Sequence, residues 1–214
     1  MFPRKYGVGN NQLMSSAEVL MENRVLCLTG IIGMNAIEMA QNLRFLAQKS
    51  RDPIKIEIIS PGGDAFAGFA LYDIISALNQ SGIPIYTVGH AAYSMAALIL
   101  AVGAPGHRYI YPKGTVMLHA ASVGAAGMVS EADLKILRKN DAILVDMIAE
   151  LCQKKAKTRK ELHKRMVENG EEFWFDAAEA KKFGLVDYIV TPDIDRELFG
   201  NLVLPSWDSV KETS

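Results

Sequence analysis

Apolar positions along the chain follow two periods, one typical of buried strands and one typical of helices. Short segments rich in apolar and β-branched residues predict strands, and each of the first three ends at a glycine or at a Ser-Pro-Gly-Gly turn. Segments in which apolar residues recur every three or four positions predict helices between them. The predicted strands cover 24–29, 54–59, 83–88, 108–111, 115–119 and 185–190, and the predicted helices cover 17–21, 34–49, 66–78, 93–102, 130–153, 158–169 and 176–183.

The order of these elements predicts the fold class. Strands and helices alternate, which is typical of an α/β protein with a mostly parallel sheet, helices on both faces and right-handed crossovers. The helix predicted over 130–153 is long for a domain of this size, so we expect it to protrude. We therefore expect one folded domain over 17–190, a mobile arm over 1–16 before it and a surface tail over 191–214 after it.

Length, composition and charge exclude several classes of protein. The chain has 214 residues, of which 50% are hydrophobic and 22% charged, which suits a single domain with a sizeable core. A net charge of −1 offers no basic excess, so we expect neither nucleic acid nor a membrane surface as a partner. The longest stretch without acidic or basic residues has an apolar centre, 91–102, that is shorter than the ~20 residues of a membrane span.

The cysteines and the N-terminus point to a reducing compartment. Cys27 and Cys152 are too few for a disulfide framework, lack metal-type spacing and fall in apolar segments, so we expect two buried thiols and no metal site. Arg4 and Lys5 have no apolar stretch behind them, so we expect no secretory signal and a cytoplasmic protein.

Three places along the chain carry residue types that nucleophilic catalysis requires. The turn 60–63 follows a buried strand, and its two glycines would let a backbone N–H approach a ligand closely. Ser94 lies at the start of a very apolar helix, where the helix dipole favours a developing oxyanion. His119 ends a predicted strand and could serve as the base for Ser94, with His90 as a rival base. Each also has a purely structural explanation, namely a plain turn, a helix-capping serine and a structural histidine.

Taken in this order, these places resemble the proteolytic subunit of the Clp-type ATP-dependent proteases, which has the Clp/crotonase fold. The resemblance covers roughly 20–190 and includes the family's spacing of 25 residues from Ser94 to His119. It implies a spiral core of repeated β-β-α units with a mostly parallel sheet, and a long handle-type helix over 130–153. The matching segments are RVLCLTG at 24–30, ISPGG at 59–63, AGFALYD at 67–73, AYSM at 92–95, VMLH at 116–119 and EAKKFGLVD at 179–187.

Carried over residue by residue, the resemblance implies a serine endopeptidase. Ser94 matches the nucleophile and His119 the general base, while the backbone N–H groups of Gly63 and Met95 match the oxyanion hole. We expect the peptide to bind in an extended form beside the Ala/Gly segment that follows His119, by strand addition. The expected substrate-binding residues are Gly62, Ser122, Val123 and Gly124.

The third member of the triad departs from the usual family pattern. The family usually has aspartate at the position where this chain has Glu172, and Glu171 and Asp176 are the rival acids. A glutamate before an aromatic segment, here Phe-Trp-Phe, resembles divergent viral relatives. A glutamate can orient an imidazole as an aspartate does, with one more rotatable bond. Tyr93 also stands where the family usually has a small residue.

Assembly and partners also follow from the resemblance. It implies a homo-oligomer of heptameric rings, with a stacked tetradecamer as the larger form, acting on unfolded protein or peptides delivered by an AAA+ unfoldase. The chain has no Walker motif, so any use of ATP would belong to that partner, and no cofactor is expected. Two alternatives stay open, a catalytically silent structural subunit of a mixed ring and a crotonase-type acyl-CoA enzyme on the same fold. A viral head-maturation-type peptidase is a narrower variant of the first interpretation.

Overall fold

A six-stranded, mostly parallel sheet organises the part of the chain that the computed structural model describes, residues 5–8, 12–121, 130–152 and 156–200. The strands are β1 (Lys5–Val8), β2 (Gln12–Ser15), β3 (Val25–Thr29), β4 (Ile54–Ser60), β5 (Ile85–Tyr93), β6 (Arg108–Leu118), β7 (Phe173–Phe175) and β8 (Tyr188–Ile189). The helices are α1 (Ser16–Glu22), α2 (Met34–Lys49), α3 (Ala65–Gln80), α4 (Met95–Ala101), α5 (Glu131–Leu151), α6 (Ala156–His163), α7 (Ala177–Phe183) and α8 (Pro192–Phe199), and a π-helical turn, Lys164–Glu168, follows α6.

The sheet has the topology that the alternating elements predict. Strands β3, β4, β5 and β6 lie side by side in chain order and pair in parallel. Strand β7 pairs with β6 in the antiparallel direction, and the short β8 pairs with β6 in parallel. The predicted α/β class with a mostly parallel sheet is therefore confirmed. Because parallel strands all end at one edge, the residues that follow β4, β5 and β6 are brought together.

The core lies between this sheet and the helices that cross it. In β4 the residues Ile54, Ile56 and Ile58 are fully buried on one face, while Lys55 and Glu57 point to the other face, as the period of a strand requires. Every residue of α4 is buried, which agrees with the absence of polar residues from that helix. The most apolar helix of the chain therefore lies inside the domain, and its first turn adjoins the end of β5.

Two sequence predictions about strand boundaries are wrong. Strand β5 does not end at Gly89 but continues to Tyr93. The glycine instead makes room for α4, because a Cβ at position 89 would lie 2.9 Å from the Leu100 side chain. Likewise 108–111 and 115–119 are not two strands. Residues 108–118 form the single strand β6, which ends one residue before His119. The Pro-Lys-Gly at 112–114 is absorbed by a register shift against β5. Glycine and proline therefore mark close packing and an irregularity here, not chain reversals.

The ends of the chain carry more regular structure than their sequence pattern indicated. The arm predicted for 1–16 contains the antiparallel pair β1 and β2, and α1 follows with a capping box between Ser15 and Glu18. The tail predicted for 191–214 begins with α8, whose Leu198 packs against Val88 and Tyr109 on the sheet face opposite the core, while 201–214 lie outside the described residues. The division into arm, domain and tail stays a prediction.

The prediction of two buried thiols holds for Cys152 but is wrong for Cys27. Cys27 alternates with Leu26 and Leu28 along β3, and only the leucines face the core. A strand with one solvated face buries every second residue, and the apolar segment did not show on which face the cysteine lies.

Candidate active site

Ser94 occupies a strained turn between β5 and α4. Its backbone has φ 56° and ψ −126°, a conformation that costs a residue with a side chain about 1–3 kcal/mol. Two hydrogen bonds hold it there, from the Ser94 N–H to the Met117 carbonyl (2.8 Å) and from the Ala97 N–H to the Ser94 carbonyl (3.0 Å). The turn presents the Ser94 hydroxyl at the carboxyl edge of the sheet, directly before the buried helix.

His119 meets Ser94 at this edge. It follows β6, the parallel neighbour of β5, and its Nε2 lies 2.8 Å from the Ser94 Oγ. In a neutral imidazole with its proton on Nδ1, Nε2 accepts the hydrogen bond from the hydroxyl, which is the arrangement of a base and its nucleophile. Two residues 25 positions apart are thus brought into contact by strand pairing.

Glu172 directly precedes β7, and His119 directly follows β6, the strand with which β7 pairs. Leu118 is paired with Phe173, and extending this antiparallel register by one position would set His119 opposite Glu172. Residues directly opposite in an antiparallel pair have Cβ atoms about 4.5–5.5 Å apart, within reach of a glutamate side chain. Among the described residues His119 forms a hydrogen bond with Ser94 alone, so its Nδ1 remains available to this carboxylate.

The two rival acids are engaged elsewhere. Glu171 accepts hydrogen bonds from Asn169 Nδ2 (3.1 Å) and Arg165 Nε (2.8 Å), and these bonds, with the Arg165 charge, lower the pKa of its carboxyl. Asp176 caps α7, where its Oδ1 accepts from the Glu179 N–H at 2.8 Å. Both carboxylates stabilise local structure, and Glu172 remains the candidate acid for His119.

An aromatic pair, which the sequence reasoning missed, holds Glu172. The Trp174 indole Nε1–H donates to Glu172 Oε2 at 3.1 Å. The Trp174 ring packs edge-on against Tyr93, with ring centroids 5.2 Å apart, and the Tyr93 hydroxyl lies 2.8 Å from Thr115 Oγ1. Tyr93 thus faces Trp174 and Thr115. Two features of the sequence could have revealed this contact. Tyr93, an unusual residue for the family, directly precedes Ser94, and Trp174 lies two residues beyond Glu172.

The glycine turn after β4 lies against the Ser94 turn. Gly62 has φ +90°, and a Cβ on it would stand 2.7 Å from both the Ser94 Cβ and the Tyr93 carbonyl oxygen. At Gly63 a Cβ would stand 2.3 Å from the Ile32 carbonyl oxygen. Only glycine permits this approach. The Ile32 N–H donates to the Gly62 carbonyl, and the Asp64 N–H donates to the Ile32 carbonyl. The Gly63 N–H takes part in neither of these two hydrogen bonds.

A second backbone donor comes from α4. Met95 is its first residue, and the first N–H groups of a helix have no partner within the helix. Gly63 and Met95, whose N–H groups are the two predicted donors, line the same cavity as Ser94.

A cavity of about 500 Å³ opens beside Ser94 and His119. Its walls come from α4, the end of β6 and one face of α5, and they are mostly apolar. Asp64 and Asn140 add polar groups, and the Asp64 carboxylate already caps α3 by accepting from the Ala67 N–H at 2.7 Å. The apolar part of the wall includes Leu98, Leu118, Leu137, Leu144 and Ile148.

Other predicted site residues have different positions. His90, the rival base, lies 3.3 Å from Glu57 and stacks on Tyr111, so its contacts are with those two side chains. Gly62 is at the site, whereas Ser122, Val123 and Gly124 lie outside the described residues. Within the described ranges, no helix has the length and apolar character needed to cross a membrane, and no cluster of three or more metal-ligating side chains is present.

Comparison with known proteins agrees with this geometry. The family model described as Clp protease matches residues 8–193. The chain belongs to the Clp protease family. It is 34% identical over 179 residues to the ATP-dependent Clp protease proteolytic subunit 1 of Rhodopirellula baltica, an overlap that covers 81% of this chain and 75% of the relative. Membership of the Clp protease family supports a peptidase, and the mixed α/β fold with its mostly parallel sheet is consistent with that family.

Proposed function

We propose that this Clp-family chain is a serine endopeptidase. The observation that carries the proposal is the 2.8 Å hydrogen bond between Ser94 Oγ and His119 Nε2, made at a strained turn. A residue with a side chain is rarely held at positive φ without a compensating purpose, and such strain is concentrated at active sites.

The geometry supports an acyl-enzyme mechanism. Ser94 Oγ attacks the carbonyl carbon of the peptide bond while His119 Nε2 takes the hydroxyl proton. The carbonyl oxygen becomes an oxyanion, which the N–H groups of Gly63 and Met95 stabilise. His119 then gives the proton to the leaving amine, and the C–N bond breaks. A water molecule next attacks the acyl-enzyme, losing a proton to His119, which returns it to Ser94 as the carboxylic acid leaves.

Glu172 is the third member of this triad. During each proton transfer His119 becomes a cation, and the Glu172 carboxylate stabilises it from the opposite strand position. Because Oε2 is held by Trp174, Oε1 is free to accept from the His119 Nδ1–H. The extra torsion of glutamate, compared with aspartate, is thereby restrained.

The proposed biological setting comes from the family. The named relative is the proteolytic subunit of an ATP-dependent protease, so we place this chain in a self-compartmentalised protease of stacked rings, fed by an AAA+ unfoldase. Its substrates are then unfolded proteins and peptides, and its compartment is the cytoplasm. The α5 helix, 21 residues long, is the proposed contact between rings.

Labelling with a fluorophosphonate probe tests the proposal. Wild type and three variants, Ser94→Ala, His119→Ala and Glu172→Gln, are first passed through size exclusion, and assembled fractions are labelled with and without a fluorogenic peptide as competitor. We expect labelling of wild type, none of Ser94→Ala or His119→Ala, and slower labelling of Glu172→Gln. Ser76→Ala, a serine on α3 outside the site, is the matched control and should label as wild type does. The proposal of a serine endopeptidase would be overturned if Ser94→Ala is labelled. It would also be overturned if assembled wild type is neither labelled nor able to cleave the peptide.

A further inference from the structure

Asn140 is a buried amide on the cavity face of α5. It follows Leu137 by three residues and precedes Leu144 by four, so the three side chains share one face of the helix, and all three line the cavity. Asn140 is only 8% exposed. In the described part of the chain its side-chain amide has no hydrogen-bond partner, although it carries two donor hydrogens and an acceptor oxygen.

The Asn140 amide is available to a partner that enters the cavity. Burying an amide without hydrogen bonds is unfavourable, and nearly all buried polar groups in proteins are paired. No side-chain nitrogen or oxygen in the described structure is both fully shielded and unpaired, so the Asn140 amide retains access to the cavity. Whatever fills this cavity can therefore hydrogen-bond to Asn140.

The cavity lies where the side chain before the scissile bond would fit. A substrate carbonyl carbon at Ser94 Oγ, with its oxygen at Gly63 and Met95, places the adjoining Cα at the mouth of the cavity, because Ser94, Gly63 and Met95 all line it. The apolar walls of the cavity disfavour a substrate side chain with a charged group at its end. The Asp64 carboxylate, which also lines the cavity, disfavours an acidic side chain further.

We propose that Asn140 is a specificity-determining residue that favours a neutral, hydrogen-bonding side chain, with glutamine as the best fit, immediately before the cleaved bond. The inference rests on the proposed peptidase function and names its substrate class. A glutamine amide can give and receive a hydrogen bond with the Asn140 amide while its methylenes contact Leu137 and Leu144. Methionine has nearly the same shape without strong hydrogen-bonding groups, so it is the matched comparison.

Two otherwise identical fluorogenic peptides, one with Gln and one with Met before the cleaved bond, test the proposal. Asn140→Leu removes the amide and keeps the volume. We expect the Gln:Met ratio of kcat/KM to fall about 3- to 10-fold in this variant, the size expected of one neutral hydrogen bond. Leu134→Met, which changes an exposed residue of the same helix outside the cavity, should leave the ratio as in wild type.

Binding measurements separate this proposal from the catalytic one. Product peptides ending in Gln or Met are titrated calorimetrically into Ser94→Ala and into Ser94→Ala/Asn140→Leu, so no turnover is needed. The same fall in the Gln:Met affinity ratio supports the inference, even if fluorophosphonate labelling contradicts the serine mechanism. If Asn140→Leu leaves the Gln:Met affinity ratio unchanged, or weakens binding of both peptides equally, the proposed role of Asn140 is overturned. In that case labelling of wild type by the fluorophosphonate probe would still support the serine peptidase.

Discussion

Replacing Trp174 by phenylalanine tests whether the aromatic pair acts on catalysis through Glu172. The change keeps a ring that can pack on Tyr93 and removes the indole N–H, which is the hydrogen-bond donor to Glu172 in the described structure. Glu172 is exposed, so without this bond its carboxylate samples more rotamers, which weakens the contact that we propose with His119.

The size of the effect follows from the exposure of the pair. A hydrogen bond to a charged group contributes about 1.5–3 kcal/mol when it is well shielded. Trp174 is 56% exposed, so water replaces part of this bond, and about 1 kcal/mol is the reasonable expectation. We therefore expect kcat/KM to fall ~5-fold, mainly through kcat, because the substrate cavity is unchanged.

The assay compares Trp174→Phe, Glu172→Gln and the double variant by peptide hydrolysis and by the rate of fluorophosphonate labelling. If Trp174 acts through Glu172, the tryptophan substitution costs little once Glu172 is already Gln. Thermal unfolding of each variant serves as the control for stability. Full activity in Trp174→Phe, or the same fold loss in both backgrounds, would refute the reasoning.

Two further predictions follow from the geometry around the site and its supporting frame. Gly62→Ala should abolish labelling of Ser94, since its Cβ would lie 2.7 Å from the Ser94 Cβ, whereas Gly106→Ala, also at positive φ but with no atom within 4 Å, should keep it. Arg108 and Asp187 form a bidentate pair, with side chains 12% and 20% exposed. Burial raises the pKa of Asp187, but Arg108 and the N–H groups of Arg108 and Gly106 outweigh it and leave the pKa below 3.8. This stabilisation is present above the unfolded pKa of about 4 and is lost as pH falls through the lower folded pKa. Asp187→Asn should therefore cost ~3 kcal/mol in chemical unfolding at pH 7, and progressively less as the pH is lowered below about 4. A difference in unfolding free energy between wild type and Asp187→Asn that does not change with pH would contradict this reasoning. The control is Asp193→Asn, which breaks an exposed ion pair with Arg196 and should change stability little at any pH.

The sequence by itself determined the fold class and the pair Ser94 and His119. Buried parallel strands and amphipathic helices leave periods in the sequence because burial depends on local spacing, and the glycine turns sit at fixed places within those periods. The spacing from Ser94 to His119 could be matched as a motif because each residue directly follows a strand.

Only the tertiary structure shows how the surroundings of the three candidate acids differ, and the reason is strand pairing and helix capping. Glu171, Glu172 and Asp176 are near neighbours in sequence, but Arg165 engages Glu171 and the first turn of α7 engages Asp176. Glu172 directly precedes β7, which pairs with the strand before His119, and is therefore the acid that we propose for the triad. A shift of one residue along a strand turns a side chain to the other face, which composition cannot reveal.

The same limit explains the remaining differences. Gly89 looked like a strand end, yet its missing side chain makes room for Leu100 of a helix that packs back on the strand. Asn140 looked like one polar residue on an amphipathic helix, and only the packing of α5 beside α4 and β6 placed its amide on the cavity. Local pattern specifies which elements form, whereas contacts between distant segments decide which side chains share a site, because those contacts depend on how the elements pack.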